Sequence, residues 1–253
     1  MRKIYIILLL FVVACSDNKG CDGKYVYIAH AGGAIDGFLY TNSREALENA
    51  AGLGYRYIEV DLQMTSDSVL VAAHSWGMFN EITGYGHYGD SVPSLDEFLS
   101  RRIYGRYTPI TADEVRDFFI ENDSLYLVTD KISNPKLLDT HFSVLKERML
   151  VEAFCYEDYM ELVESDYNMV LYSCMASDLY MSLIKHLLLH DFFTGPKIEW
   201  LALHTSVCEY RMFEVVDALC DYNAALFTIN DTTLVPVALK DNVRMIYTDS
   251  IIP

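Results

Sequence analysis

Residues 55–74 read YRYIEVDLQMTSDSVLVAAH, and this stretch combines two apolar runs with polar side chains at or near their ends. The runs at 55–62 and 69–73 predict strands, and a third run at 25–29 predicts another strand upstream. Glu59 and Asp61 lie on the middle strand of the three, while His30 and His74 directly follow the other two. Chemically active side chains are therefore expected at strand ends.

Glu59 and Asp61 are two residues apart on one predicted strand, which places both carboxylates on the same face. At a separation of about 6 Å and an effective dielectric constant of about 20, their repulsion costs roughly 3 kcal/mol. A bound divalent cation removes that cost, and all-oxygen ligands favour Mg²⁺ or Ca²⁺. The alternative is an ordinary edge strand whose acidic face is solvated.

His30 and His74 bracket the acidic strand in the sequence. A single histidine after an apolar strand is more often structural than catalytic. Two such histidines beside a candidate cation site indicate a general acid and a general base.

The rest of the chain alternates strand and helix patterns. Further strands are predicted at 125–130, 150–154, 169–173, 200–204, 224–228 and 244–248, with helical patterns at 157–164, 177–190, 209–221 and 232–240. Together with the strands at 25–29 and 55–62, these make eight parallel strands. The strand at 69–73 follows its predecessor too closely for a crossover, so it is expected to be an extra hairpin strand.

Eight βα units predict an α/β fold, a TIM (β/α)8 barrel, with an insertion after the second barrel strand. The insertion is expected to contain a loop at 75–89 and helices at 93–102 and 109–122, each of which begins with a capping-box pattern. An open doubly wound sheet is the alternative, but the chain lacks the glycine-rich phosphate fingerprint of that fold.

Several motifs resemble those of the glycerophosphodiester phosphodiesterase family. They are HAG at 30–32, Asn42 in its loop, EVD at 59–61, TSDSVLV at 65–71, His74, TGYG at 83–86, VPSLDE at 92–97, FTIN at 227–230 and YTD at 247–249. The resemblance is dense before residue 100 and sparse between 131 and 222. It implies a TIM barrel that cleaves a small-molecule glycerophosphodiester to glycerol phosphate and an alcohol, with His30 and His74 dividing the proton transfers.

The resemblance also implies how the rest of the site is built. The family places a third acidic ligand at the end of the third barrel strand, where this chain has Asp130, so that Glu59, Asp61 and Asp130 are expected to hold one Mg²⁺ or Ca²⁺. The alternative role for Asp130 is a helix N-cap. Substrate-binding roles are expected for Asn42, Lys131 and Trp76, although the tryptophan has packing as its alternative; Asn230 and Asp249 are expected to be structural.

Three positions depart from the family pattern. Ala31 stands where the family usually has Arg, Thr41 replaces a Glu and Ser75 replaces an Asp. The guanidinium of that arginine would contact phosphate, so its absence leaves the identity of the substrate's head group undetermined. The alternatives are a phosphodiesterase for another lipid or glycan phosphodiester and a non-catalytic surface-binding lipoprotein on the same barrel.

Residues 1–14 predict a signal peptide, because a short basic start precedes an apolar run at 4–13 that is too short to span a bilayer. The VVAC at 12–15 resembles a bacterial lipobox. Cys15 is therefore the expected lipidation site, with 15–24 as a tether and 25–253 as one domain; the alternative is an ordinary signal peptide. The expected location is the bacterial cell envelope, with an N-terminal lipid as the membrane anchor.

The 253-residue chain is acidic, with 36 Asp and Glu against 19 Lys and Arg and a formal net charge of −17. Nucleic-acid binding requires basic patches, so no nucleic-acid partner is expected. None of the six cysteines has zinc-type spacing. In an exported protein Cys155 and Cys174 are candidates for a disulfide, and buried free thiols are the alternative.

Overall fold

The computed structural model describes residues 26–174, 198–205, 223–235 and 243–253. Cys15, the signal peptide and the tether lie outside these ranges, as do the helices predicted at 177–190 and 209–221 and most of the one at 232–240. The strands in the described ranges are β1 (Val26–Ala29), β2 (Tyr57–Met64), β3 (Leu70–Ala72), β4 (Tyr126–Asp130), β5 (Met149–Ala153), β6 (Val170–Cys174), β7 (Trp200–His204), β8 (Asn223–Phe227) and β9 (Val243–Thr248).

Eight of these described strands are parallel and close into a barrel. They pair in the order β1, β9, β8, β7, β6, β5, β4, β2, and β2 pairs back onto β1. The remaining strand, β3, pairs antiparallel with β2, with Leu62 opposite Ala72. The predicted TIM barrel with an extra hairpin strand is thus confirmed, and the chain between β2 and β4 forms the predicted insertion.

Alternation along the strands produces two apolar layers. One fills the barrel and includes Ile28, Val128 and Leu150; the other lies between the strands and the helices and includes Ile58 and Val60. Successive strand residues point to opposite sides of a sheet. The register pairs Glu59 with Val128 and Asp61 with Asp130, so these acidic side chains point into the barrel with Val128.

The described helices are α1 (Arg44–Gly52), α2 (Trp76–Ile82), α3 (Leu95–Ser100), α4 (Ala112–Glu121), α5 (Pro135–Phe142) and α6 (Tyr156–Glu164). Both predicted capping boxes are present, with Ser94 and Thr111 as the N-caps of α3 and α4. None of the described helices is long and apolar enough to cross a bilayer.

The loop predicted at 75–89 is wrong in its first half, which forms α2. The Ser75 hydroxyl accepts a hydrogen bond from the backbone N–H of Met78 and caps this helix, while Trp76 and Phe79 are buried three residues apart. The frequent glycines of the segment 75–89 favoured a loop prediction over this capped helix. Short helix α5 was also not predicted; it begins with Asn134 as N-cap and Pro135 in its first turn.

Candidate active site

Three carboxylates meet at the carboxyl ends of β2 and β4. One oxygen from each of Glu59, Asp61 and Asp130 lies within 4.8 Å of the others. Glu59 and Asp61 are almost fully buried. The helix that follows β4 has Asn134 as its N-cap. Asp130 is therefore not a helix N-cap, which was the alternative role predicted for it.

Burial and mutual repulsion make this group of carboxylates electrostatically costly. Burial raises the pKa of Glu59 well above its ordinary value, and the charges of Asp61 and Asp130 raise it further. Burial and the charge of Asp61 likewise raise the pKa of Asp130, although Lys131 opposes the shift. Desolvated carboxylates placed this close together are unfavourable unless positive charge is brought to them.

The same carboxylates fit a hard divalent cation. All three donors are oxygen atoms, which suit Mg²⁺ or Ca²⁺. Oδ1 of Asp61 is buried and accepts no hydrogen bond from the described residues, so one carboxylate oxygen of the group is left without a donor. An unsatisfied buried carboxylate oxygen is expected where a ligand completes its coordination.

Asn42 holds Asp61 in place from the loop before α1. Its Nδ2 donates to Oδ2 of Asp61 at 2.9 Å, and its Oδ1 accepts from the Asp61 backbone N–H at 3.0 Å. Asn42 is fully buried and adopts a left-handed φ of 46°, which Asn tolerates better than most residues. The geometry therefore indicates that the buried Asn42 amide positions Asp61 and is not exposed for contact with substrate.

His30 is held by a carboxylate that is distant in the sequence. Its Nδ1 lies 2.9 Å from Oδ1 of Asp249, which follows β9. The other Asp249 oxygen accepts from Nδ2 of Asn230 at 2.6 Å, and the Asp249 backbone N–H donates to Oδ1 of Asn230 at 2.8 Å. Burial raises the pKa of Asp249, but hydrogen bonds from His30 and Asn230 outweigh burial and hold the pKa below its ordinary value. Asp249 thus leaves only Nε2 of His30 for proton transfer.

His74 reaches the same mouth of the barrel from the end of β3. The ring of Tyr40 lies between the two imidazoles, with centroid distances of 5.0 Å to His30 and 5.0 Å to His74. Nδ1 of His74 is buried and has no hydrogen-bond partner among the described residues. Burial lowers the pKa of His74 more than the charge of Asp61 raises it, so the ring is neutral at pH 7.

Lys131 brings positive charge to the carboxylates. Its Nζ hydrogen-bonds Asp130 and lies 3.4 Å from Oδ1 of Asp61, an ion pair without a hydrogen bond. An extended backbone would point Lys131 away from Asp130, but Lys131 has a left-handed φ of 72° that turns it back. Burial lowers the Lys131 pKa, but Asp130 and Asp61 raise it by more.

A fourth acidic side chain, Glu152 on β5, was missed by the sequence reasoning. It is buried inside the barrel and accepts a hydrogen bond of 2.5 Å from the Tyr247 hydroxyl. Burial and the charge of Asp130 raise the pKa of Glu152 to about 8. A single acidic residue within the apolar run MLVEA was the signal that could have identified it.

Two sequence expectations change in the structure. Trp76 is buried against Phe79 and Phe98 in the core of the insertion, so its packing alternative holds and it does not line the site. Cys155 carries a free thiol at the start of α6, so the disulfide with Cys174 is not formed.

Ala31, at the position of the family's arginine, is fully buried, and its backbone N–H donates to Glu59.

Comparisons with known proteins agree with this fold. Residues 23–147 match the model of the Glycerophosphoryl diester phosphodiesterase family. A glycerophosphodiester phosphodiesterase from Parabacteroides distasonis is 21% identical, with a TM-score of 0.62 over 90% of this chain and 94% of that one. A phosphodiesterase from Oleispira antarctica, solved with the product sn-glycerol-3-phosphate, is 19% identical, with a TM-score of 0.65 over 88% and 92% of the two chains.

A third solved structure, the glycerophosphodiester phosphodiesterase from Thermotoga maritima, is 15% identical, with a TM-score of 0.63 over 90% of this chain and 95% of that one. No curated protein sequence matches the chain. The fold and the acidic barrel mouth define a TIM barrel of the phosphodiesterase type. The match at 23–147 confirms the relationship to the glycerophosphoryl diester phosphodiesterase family that the motifs predicted.

Proposed function

We propose that this protein hydrolyses glycerophosphodiesters to glycerol phosphate and an alcohol. The observation that carries the proposal is the convergence of two histidines and three carboxylates at one mouth of the barrel. These residues lie within the segment that matches the family. The product-bound relative from Oleispira antarctica supports a phosphodiester of this size as substrate.

Glu59, Asp61 and Asp130 would hold one Mg²⁺ or Ca²⁺, with Asn42 orienting Asp61. When bound, such an ion supplies electrostatic stabilisation for negative charge that develops on the phosphate. His30 and His74 divide the proton transfers between the nucleophile and the leaving group. Asp249 orients His30 through Nδ1, and the neutral ring of His74 is suited to accept a proton.

The alanine at position 31 supports a second substrate class. Because Ala31 replaces the usual arginine and is buried, the site lacks that guanidinium for the phosphate. A diester with another lipid or glycan head group is the alternative substrate, and a non-catalytic binding role is the alternative function. We further propose that the protein is anchored in the bacterial cell envelope through lipidated Cys15, on the strength of the N-terminal pattern.

The test is cleavage of glycerophosphocholine and glycerophosphoethanolamine with Mg²⁺ or Ca²⁺, and again with a chelator. Cleavage that requires the cation and falls by about 10² to 10⁴ in His30→Ala and His74→Ala supports the proposal. His87→Ala is the matched control, because His87 is exposed in the insertion. Absence of cleavage of either substrate by the wild-type protein, at any divalent cation concentration, overturns the glycerophosphodiester assignment, and a panel of lipid and glycan diesters then tests the alternative.

A further inference from the structure

Tyr40 occupies the centre of the barrel mouth, although no sequence motif singled it out. It lies in the loop between β1 and α1, and its ring meets both imidazoles edge-on, at interplanar angles of 79° and 67°. The loop is pinned just beyond Tyr40 by Asn42, which binds Asp61 through both ends of its amide. The ring of Tyr40 is therefore held in place between the two proposed proton-transfer groups.

The hydroxyl of Tyr40 is a free donor in an acidic site. Among the described residues none forms a hydrogen bond with this hydroxyl, and Tyr40 is only partly buried. Burial raises the Tyr40 pKa, and the charges of Asp249, Asp61 and Glu59 add to the shift. The hydroxyl therefore stays protonated at neutral pH and has a hydrogen to donate.

An anionic substrate needs such a donor here. The ionised carboxylates of the site repel a phosphate diester, and the ammonium of Lys131 is already bonded to Asp130. The family's arginine is absent at Ala31. A neutral hydroxyl donor at this barrel mouth compensates for part of that loss without competing with a cation for the carboxylates.

We infer that the Tyr40 hydroxyl donates a hydrogen bond to a phosphate oxygen of the bound diester, which makes Tyr40 a further substrate-contacting residue of this site. The inference rests on the proposed phosphodiesterase function. A purely structural role, in which the ring only separates the imidazoles, is the competing explanation. The two differ in whether the hydroxyl is needed, so Tyr40→Phe, which keeps the ring, separates them.

The experiment compares wild type, Tyr40→Phe, Tyr40→Leu and the control Tyr104→Phe, which alters an exposed tyrosine of the insertion whose ring centroid lies 4.4 Å from that of Phe38. The readouts are kcat/KM for glycerophosphocholine, the affinity for sn-glycerol-3-phosphate and inorganic phosphate by calorimetry with Mg²⁺ or Ca²⁺, and the melting temperature. The expected result is a roughly ten- to hundredfold loss of kcat/KM and of phosphate affinity in Tyr40→Phe, with an unchanged melting temperature. Tyr104→Phe is expected to match the wild type.

Wild-type behaviour of Tyr40→Phe in both assays, with loss confined to Tyr40→Leu, overturns the inference and leaves the ring as a spacer. If the wild-type protein cleaves no diester, the proposed function fails on its own, and calorimetry with inorganic phosphate still decides the role of Tyr40. Weaker phosphate binding in Tyr40→Phe then supports the contact. Equal binding, or no phosphate binding by the wild type, contradicts it.

Discussion

Nδ1 of His30 lies 2.9 Å from a carboxylate oxygen of Asp249, so the end of β9 holds the side chain that follows β1. We predict that Asp249→Asn lowers kcat by about ten- to a hundredfold, because an amide no longer favours the tautomer and orientation that leave Nε2 of His30 free. Steady-state kinetics on glycerophosphocholine measure this effect. Asp123→Asn, at an exposed position, is the control, and equal kcat values for the two variants would show that Asp249 has no part in positioning His30.

Lys131 shares the carboxylates with the proposed cation. Its Nζ lies 3.4 Å from Asp61 and also hydrogen-bonds Asp130. We predict that Lys131→Met raises the affinity for Mg²⁺ or Ca²⁺ roughly tenfold, because a competing positive charge is removed from the ligands. Calorimetric titration of the metal alone measures this change, with Lys136→Met at an exposed position as control. Weaker metal binding in Lys131→Met would mean that the ammonium supports the site rather than competes for it.

Glu152 makes stability depend on pH. Its pKa is raised from the ordinary 4.5 to about 8 in the folded protein, so its contribution to stability is fully present below pH 4.5 and is lost as pH rises toward and beyond 8. Glu152→Gln keeps an acceptor for Tyr247 and removes the ionisation. We expect it to melt at least about 5 °C higher than the wild type at pH 9, with little difference at pH 5, in the presence of chelator.

Thermal melts across that pH range measure this effect, and Glu147→Gln, at an exposed position, is the control. A melting-temperature difference between wild type and Glu152→Gln that stays constant from pH 5 to pH 9 would contradict a raised pKa at Glu152.

Asn42 supports both the fold and the cation ligands. Asn42→Ala removes two hydrogen bonds to Asp61 and leaves a left-handed backbone to a residue that disfavours it. We expect a loss of about 3 kcal/mol in the free energy of unfolding by urea, together with weaker binding of Mg²⁺ or Ca²⁺. Asn168→Ala, at an exposed position, should change neither quantity. Unaltered metal affinity in Asn42→Ala would separate this residue from the ligand set.

The barrel was predictable because its strands are short apolar runs at regular spacing, and buried parallel strands require that pattern. Glu59 and Asp61 were predictable from local spacing alone, since residues two apart on a strand share a face. Helix α2 was harder to predict, because the glycines at 77, 84, 86 and 89 make the segment 75–89 resemble a loop and a single serine cap starts the helix.

The remaining site residues depend on long-range contacts. Asp249 and His30 are 219 positions apart, and no local pattern shows that a carboxylate after the last strand reaches a ring after the first. Simple strand alternation would point Lys131 away from Asp130, and only its left-handed backbone turns its side chain back toward the site. Tyr40 lies between the imidazoles because Asn42 anchors its loop, which is a tertiary contact rather than a sequence motif.

The pairing of β1 with both β2 and β9 also bears on when the site can assemble during synthesis and folding. His30 emerges from the ribosome 219 residues before Asp249, the carboxylate that orients it. A polypeptide that is still incomplete at residue 249, or is unfolded, therefore lacks the carboxylate contact of His30. The contact between His30 and Asp249 therefore forms only after β9 has been made and has paired with β1.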